Sequence, residues 1–159
     1  MPTETTIFCP KAIRELWPRP VADHWLKQYP HIFDAEDRRL AKTQPSNHFC
    51  EWFAAIHLFQ RDGMYSLLEK YIYKSHSKKV ATVQSILKGE QWEMLNVICD
   101  ENHVQPPDLF LYHPGTRMFS FAEVKGPGDR LSEKQLRSHK EIYKFMGVTV
   151  EIIRVRIAQ

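Results

Sequence analysis

The segment from Asp108 to Lys125 constrains the fold of this chain more than any other part of the sequence. Asp108 begins one apolar run, Glu123 and Lys125 end a second, and His113-Pro-Gly-Thr-Arg117 separates the two. Proline and glycine between two apolar runs are typical of a tight turn. The segment therefore predicts an antiparallel β-hairpin with charged residues at the open end.

Two pairings of this hairpin are open. If the arms pair symmetrically about the Gly115-Thr116 bond, Asp108 lies opposite Glu123 with Cβ atoms roughly 5 Å apart. If Pro114 and Gly115 form the corners of a type II turn, the pairing shifts by two residues and Glu123 becomes a diagonal neighbour. Both registers place the carboxylates on one face of the sheet, and the two-residue strand period adds Lys125 to that face.

Two adjacent carboxylates repel each other, so either one of them takes up a proton or a cation lies between them. The lysine beside them favours the cation, and oxygen ligands favour Mg²⁺ or Mn²⁺ over zinc. A metal ion that binds a water and a phosphate oxygen is suited to phosphodiester hydrolysis, with Lys125 positioning or deprotonating the water. The residue pattern alone therefore indicates a metal-dependent phosphodiesterase.

The flanking residues extend this pattern to Gln105-Pro-Pro-Asp-Leu-Phe-Leu-Tyr and to Phe121-Ala-Glu-Val-Lys-Gly-Pro-Gly-Asp-Arg-Leu-Ser-Glu-Lys-Gln135. The extended pattern resembles the virus-type replication-repair nuclease domain, VRR-NUC, a branch of the PD-(D/E)xK nucleases. The resemblance covers about the last third of the chain. Gln105 replaces a glycine that is usual in the family, and His139 replaces a common tryptophan.

The resemblance implies a catalytic set of four side chains: Asp108, Glu123, Lys125 and Gln135. Asp108 and Glu123 would bind the metal ion, with the Val124 backbone carbonyl as an additional ligand. Lys125 would be the catalytic lysine. Gln135 would support the site or contact the scissile backbone, although its position also suits a helix cap.

An acid from the first core helix often completes the ligand set in this family. Apolar residues at helical spacing predict that helix, with Ser46 or Asn47 as its N-terminal cap and Asp62-Gly63 at its end. Glu51 lies beside the apolar stripe and is the candidate ligand. A solvated surface glutamate would occupy the same position, so this alternative stays open.

The fold class follows from the elements around the hairpin. Ser132 and Gln135 form a capping-box pattern that predicts a helix ending at Met146, and a β-branched run from Val148 predicts a strand. The crossover helix makes that strand parallel to the one carrying Glu123. The resemblance implies an α/β (α+β) fold with a restriction-endonuclease-like PD-(D/E)xK core, a mixed central sheet flanked by helices and a helical N-terminal extension.

The predicted chain organisation is one compact domain of 159 residues. Residues 1–45 are rich in proline and predict a wrap of short helices, around 11–17 and 22–29, anchored by aromatic residues: Trp17, Trp25, Tyr29 and Phe33. Residues 46–159 form the nuclease core, with a helical insertion at about 64–100 that includes a helix from Met64 to Tyr73. Such an insertion goes with monomers in some relatives, so the resemblance weakly favours a monomer.

Several basic residues are candidates for contacts with DNA phosphates: Lys78, Lys79, Arg130, Lys134 and Arg137. A solvated helix face or turn would carry the same residues. The net charge of +3 does not by itself indicate a nucleic-acid partner. The three cysteines are widely spaced among apolar residues, so we expect reduced core thiols.

The expected function is a DNA endonuclease, with two biological roles open. One is a toxin delivered into a target cell by a secretion system, for which an immunity protein is the expected partner. The other is a repair enzyme that cleaves junctions or flaps. The alternative to both is a non-catalytic DNA-binding or partner-binding module. No segment has the composition of a signal peptide or membrane span, so we expect action in the cytoplasm on DNA.

Overall fold

The computed structural model describes residues 3–100 and 102–159. Its strands are β1 (Glu4–Pro10), β2 (Tyr65–Leu68), β3 (Leu109–Tyr112), β4 (Phe119–Lys125) and β5 (Val150–Ala158). Its helices are α1 (Lys11–Glu15), α2 (Val21–Gln28), α3 (Ala35–Thr43), α4 (Pro45–Asp62), α5 (Ser77–Ile86), α6 (Gly89–Ile98) and α7 (Glu133–Met146). The strands form one sheet in the order β1-β5-β4-β3-β2.

The sheet lies between two helical layers, each with its own hydrophobic core. On one face, α4 and the N-terminal helices pack against the sheet through a cluster that includes Trp52 and Ile153. On the other face, α5, α6 and α7 pack around a cluster that includes Leu95, Phe121 and Ile142. β5 is parallel to β4 and β1, whereas β3 is antiparallel to β4 and β2. This mixed sheet flanked by helices confirms the predicted fold class.

The hairpin β3–β4 adopts the symmetric register. Leu109 pairs with Ala122, and the same register continued by one step places Asp108 opposite Glu123. Of the two pairings open from the sequence, the one with directly opposed carboxylates is therefore confirmed.

The turn of this hairpin nevertheless has Pro114 and Gly115 at its corners. Thr116 N–H donates to His113 O at 3.3 Å, and Gly115 has a φ of +79°, as the third position of a type II turn requires. The register does not shift because Thr116 Oγ1 accepts from Met118 N–H at 3.1 Å, and His113 N–H donates to Met118 O at 3.2 Å. The residues between the turn and β4 are therefore accommodated in the loop, and the strand register stays symmetric.

The N-terminal segment contains a strand that the proline pattern did not predict. β1 pairs along its whole length with β5 and forms one edge of the sheet. Ile7 and Cys9 are buried while Phe8 and Pro10 are exposed, which is the two-residue alternation of a half-buried strand. That alternation was the available signal, but it is only a few residues long.

The aromatic anchors of the N-terminal segment pack as predicted. Trp17 and Phe33 are buried, and each contacts Trp52 of α4, with ring centroids 5.3 and 3.8 Å apart. Tyr29 is also buried, while Trp25 is partly buried. α1 and α2 account for the two predicted short helices. Segment 3–45 thus continues the core around Trp52 and Ile153.

The helix predicted from Met64 to Tyr73 is wrong. This region contains β2, in which Ser66 and Leu68 are buried and Tyr65 is half-buried, and it pairs with β3. The segment is apolar enough for either element, and pairing with β3 favours the strand. α4 ends at Gly63 as expected, but begins at Pro45, since proline at the first turn replaces the predicted serine or asparagine cap.

Lys79 is not on the surface, which corrects its prediction as a DNA contact. It is 5% exposed, and its Nζ donates to Asp37 Oδ1 and to Leu68 O, each at 2.7 Å. Asp37 is itself 4% exposed and belongs to the capping box of α3. The pair therefore joins the N-terminal helices to α5 and to the end of β2.

Breaking this buried pair is expected to destabilise the protein. Lys79→Met leaves the Asp37 carboxylate without its cation and should lower the free energy of unfolding by about 3–5 kcal/mol in urea titrations. Asp37→Asn combined with Lys79→Met should recover part of that loss, because no charge stays buried. The control Lys78→Met, at an exposed neighbouring position, should change the free energy of unfolding by less than about 0.5 kcal/mol. Equal effects of Lys78→Met and Lys79→Met would contradict the buried pair.

Candidate active site

Asp108 is held by three hydrogen bonds at the start of β3. Its Oδ2 accepts from Val124 N–H at 2.8 Å, and its backbone carbonyl accepts from Glu69 N–H at 2.8 Å. The preceding carbonyl, of Pro107, accepts from the buried Tyr71 hydroxyl at 2.5 Å. These contacts come from β4 and from the segment that follows β2, so the carboxylate position depends on the strands and the loop on both sides of β3.

Glu123 is buried beside Asp108 near the end of β4. It is 3% exposed, and the carboxyl groups of the two residues are in hydrogen-bonding contact. Burial raises the pKa of both acids, and the neighbouring carboxyl raises that of Asp108 further. Two acids this close cannot both ionise without a compensating cation.

His139 of α7 contacts the same carboxyl group. Its Nε2 lies 3.2 Å from Glu123 Oε1, and the ring is 8% exposed. Burial lowers the pKa of His139 to about 4, so the imidazole is neutral near pH 7. A neutral ring protonated on Nε2 donates to the carboxylate and orients it. The sequence did not predict this contact of His139.

Glu51 points inward rather than to solvent. Its Oε2 is buried and has no hydrogen-bond partner among the described residues. Burial and the nearby Asp108 carboxylate raise the pKa of Glu51 to about 8. A buried acceptor without a donor costs about 1–3 kcal/mol, so a carboxylate in this state suits a site that receives a cation. The alternative of a solvated surface glutamate does not hold.

The donor set fits a hard divalent cation that keeps part of its water. Within residues 3–100 and 102–159, no three aspartate, glutamate, histidine or cysteine side chains are grouped closely enough to hold a metal ion by themselves. Two adjacent carboxylates, a backbone carbonyl and water are nevertheless the ligands that Mg²⁺ accepts. Glu51 also points inward, and because its pKa is raised to about 8, it would ionise fully near pH 7 only beside a bound cation.

Lys125 and Gln135 follow the acid pair along the chain: Lys125 lies on β4 two residues after Glu123, and Gln135 lies on α7, the next helix. Lys125 is half-buried at the end of β4, and its charge lowers the pKa of Glu123. Gln135 is half-buried in the first turn of α7, where its Oε1 accepts from Ser132 N–H at 3.0 Å. Ser132 Oγ accepts in return from Gln135 N–H at 3.1 Å. The predicted capping box is confirmed, so the glutamine side chain has a structural contact in this state.

The other predicted DNA contacts are exposed. Arg130 lies in the loop between β4 and α7, and Lys134 and Arg137 lie in the first turns of α7. These three follow the end of the strand that carries Lys125. Lys78 is exposed on α5, on the segment that follows β2.

Glu69 and His48 are site neighbours that the sequence did not reveal. Glu69 Oε1 lies 3.0 Å from His48 Nδ1, and its charge raises the pKa of both Asp108 and Glu51. Glu69 has a φ of +57°, a left-handed conformation that costs about 1 kcal/mol or more in a residue other than glycine. No local sequence pattern predicts this conformation. In it, the Glu69 N–H donates to the Asp108 carbonyl.

The comparison with protein-family models decides the assignment. The model of the VRR-NUC domain matches residues 56–157, more than half of the chain. This chain belongs to the VRR-NUC family. The resemblance seen in the sequence is therefore confirmed, and the family assigns the chain to the nucleases.

Three relatives match over a shorter segment. The chain is 47% identical over 49 residues to the Fanconi-associated nuclease 1 homolog of Caenorhabditis elegans. It is 45% identical over 49 residues to Fanconi-associated nuclease 1 of Ailuropoda melanoleuca and of Homo sapiens. Each match covers 31% of this chain but only 6% of the nematode protein and 5% of the two mammalian ones. The chain thus corresponds to a small part of each relative.

No helix within the described residues is both long enough and apolar enough to cross a membrane. Cys9 and Cys99 are buried and Cys50 is half-buried, and all three are free thiols, as predicted.

The acid pair predicts a measurable link between metal ions and stability. Asp108→Asn removes one of two opposed carboxylates, so in chelator it should raise the melting temperature of the protein by several degrees. Millimolar Mg²⁺ should raise the melting temperature of the wild type, because a ligand that binds only the folded state stabilises that state. It should have little effect on the melting temperature of the variant. Calorimetry with and without Mg²⁺ tests this. A variant less stable than the wild type in chelator, with unchanged Mg²⁺ response, would contradict it.

His139 is expected to act by orienting Glu123. His139→Gln keeps a donor near the carboxylate, whereas His139→Leu removes it at similar volume. Loss of such a supporting contact typically costs 10–100-fold in metal affinity. Titration with Mn²⁺ should show that loss for the leucine variant and a smaller change for the glutamine variant. Equal affinities in both variants and the wild type would rule out the orienting role.

Proposed function

We propose that this protein is a divalent-metal-dependent DNA endonuclease that hydrolyses phosphodiester bonds. The observation that carries the proposal is the buried, directly opposed pair of Asp108 and Glu123, with Lys125 on the same strand face two residues beyond. Membership of the VRR-NUC family supplies the reaction class. The choice of Mg²⁺ or Mn²⁺ rests on the oxygen donor set.

The proposed metal ligands are Asp108, Glu123 and the Val124 carbonyl, with Glu51 as a ligand through water or at longer range. A bound divalent cation polarises the scissile phosphate and acidifies a water molecule. The Val124 N–H keeps one oxygen of Asp108 in place and leaves the other for the metal ion. The Glu123 carboxylate is oriented by His139.

Lys125 is proposed as the group that faces the reacting water and phosphate. Its ammonium lies on the same strand face as Glu123, and an ammonium there stabilises the negative charge that develops in the transition state. Gln135 is proposed to support the site through the first turn of α7, since its side chain closes the capping box there. Arg130, Lys134, Arg137 and Lys78 are proposed to contact phosphates outside the reaction centre.

The proposed substrate is DNA with a branch or a flap. The support is the identity, 45–47%, between 49 residues of this chain and proteins named Fanconi-associated nucleases. The role of a toxin with an immunity protein stays a prediction, as do the monomeric state and action in the cytoplasm. A preference for branched substrates would distinguish the repair role from the toxin role, because a toxin nuclease needs no preference among duplexes.

The metal-dependent reaction is tested with purified protein on supercoiled plasmid and on a flapped duplex. We expect cleavage in Mg²⁺ or Mn²⁺ and none in chelator. Asp108→Ala and Lys125→Ala should each reduce the rate by about 10²–10³-fold or more, since each removes a group that stabilises transition-state charge. Asp62→Ala and Lys88→Ala, at exposed positions outside the acid pair, serve as matched controls.

Two results of this assay would reject the proposed function. One is cleavage by Asp108→Ala or Lys125→Ala at the wild-type rate. The other is the absence of cleavage by folded wild-type protein on either DNA in both metals. Faster cleavage of plasmid than of flapped duplex would instead favour the indiscriminate enzyme expected of a toxin.

A further inference from the structure

The face of the sheet that α7 covers is left open beyond Ile152. Val150 and Ile152 of β5 point to this face and are buried, whereas Arg154 is half-buried and Arg156 is exposed. All four share one face because strand side chains alternate. The helix layer thus ends near the level of Lys125 on β4, which pairs with Arg154 on β5.

β1 extends this open face and places an aromatic ring on it. Thr6 pairs with Arg154 and Phe8 pairs with Arg156, and both β1 residues lie on the exposed side of the strand. Phe8 is 64% exposed, an unusual state for a phenylalanine within a sheet. From the strand spacing, its Cα lies roughly 12 Å from that of Lys125, across two strands and one two-residue step.

A cavity of about 660 Å³ lies over this open face. Its lining includes Phe8, the loop residues Gly126–Gly128, the end of β5 from Arg154 to Ala158, and Gln159. The loop begins directly after Lys125, so the cavity begins one residue beyond the end of β4.

The charges in this cavity favour an anionic ligand. Arg154 donates to the Glu4 carboxylate and, through Nη1, to Asp129 O at 3.2 Å, which fixes its position. Arg156 is exposed, and no ion pair to it is found among residues 3–100 and 102–159. Lys125 lies next to this cavity, in register with Arg154 on the neighbouring strand. Two acids oppose these charges: Glu4, which is paired with Arg154, and Asp129, whose Oδ2 accepts from Gly126 N–H at 3.0 Å.

We infer that this open face, made by Phe8, Arg154 and Arg156 beside Lys125, binds a single-stranded segment of the DNA substrate next to the scissile phosphate. The inference rests on the proposed function and specifies its substrate. Arginines along a groove with an exposed aromatic ring match the requirements of single-strand binding, in which cations hold the backbone and a base stacks on the ring. Only an unpaired base can lie flat on Phe8, since a paired base is covered by its neighbours in the duplex.

Binding in chelator tests this separately from cleavage. Fluorescence anisotropy is measured for a blunt duplex and for the same duplex with a six-nucleotide single-stranded flap. Phe8→Leu should weaken binding of the flapped DNA roughly tenfold and leave the blunt duplex within about twofold. Arg156→Gln should also weaken flap binding and lower the slope of log affinity against log salt concentration by about 0.7. Phe145→Leu and Arg19→Gln, exposed residues of the same types elsewhere, are the matched controls.

Each alternative outcome overturns the inference. Equal loss for blunt and flapped DNA would mean that the face binds duplex. Unchanged flap affinity in both variants would mean that it binds no DNA. If light scattering shows that Phe8→Leu changes the oligomeric state, the face is instead a contact between copies of the chain. Because no metal is present, these results stand whether or not the protein cuts DNA, and cleavage in Mg²⁺ by the same variants reports on the proposed function independently.

Discussion

The placement of two carboxyl groups opposite each other, at the open end of one hairpin, is the constraint on which the rest of this structure depends. Asp108 and Glu123 are both withdrawn from water, and within residues 3–100 and 102–159 neither forms an ion pair with a lysine or arginine. A strained pair of this kind persists only if neighbouring elements hold it. The Val124 N–H does so from β4, and the Glu69 N–H and the Tyr71 hydroxyl do so from the segment after β2.

The surrounding fold supplies the free energy that this arrangement costs. Buried acids without a cation reduce stability by several kcal/mol, and the unpartnered oxygen of Glu51 adds to that cost. Two hydrophobic clusters, one on each face of the sheet, offset it through burial of apolar surface. The N-terminal segment belongs to the first cluster, so its aromatic residues stabilise the layer from which α4 presents Glu51.

The chain thus combines the proposed reaction centre with an open surface beside it. β4 carries Glu123 and Lys125 into the centre, whereas β5 and β1 extend past the helix layer and leave Arg156 and Phe8 in solvent. Membership of the VRR-NUC family explains the first part, which lies within the matched motif. Phe8 lies outside the matched residues, so that side of the open face is a feature of this chain's own N-terminal strand.

The sequence by itself determined the hairpin, the acids on it, the capping box of α7 and the crossover to β5, because turn residues, strand alternation and caps act within a few residues. It left the register and the orientation of Glu51 open, did not predict the strand β1, wrongly predicted a helix in place of β2, and proposed the buried Lys79 as a contact with DNA. Those depend on contacts between residues far apart in the chain: β2 on pairing with β3, and Lys79 on Asp37. Tertiary structure decided them, since burial and pairing depend on what lies opposite, which no local pattern records.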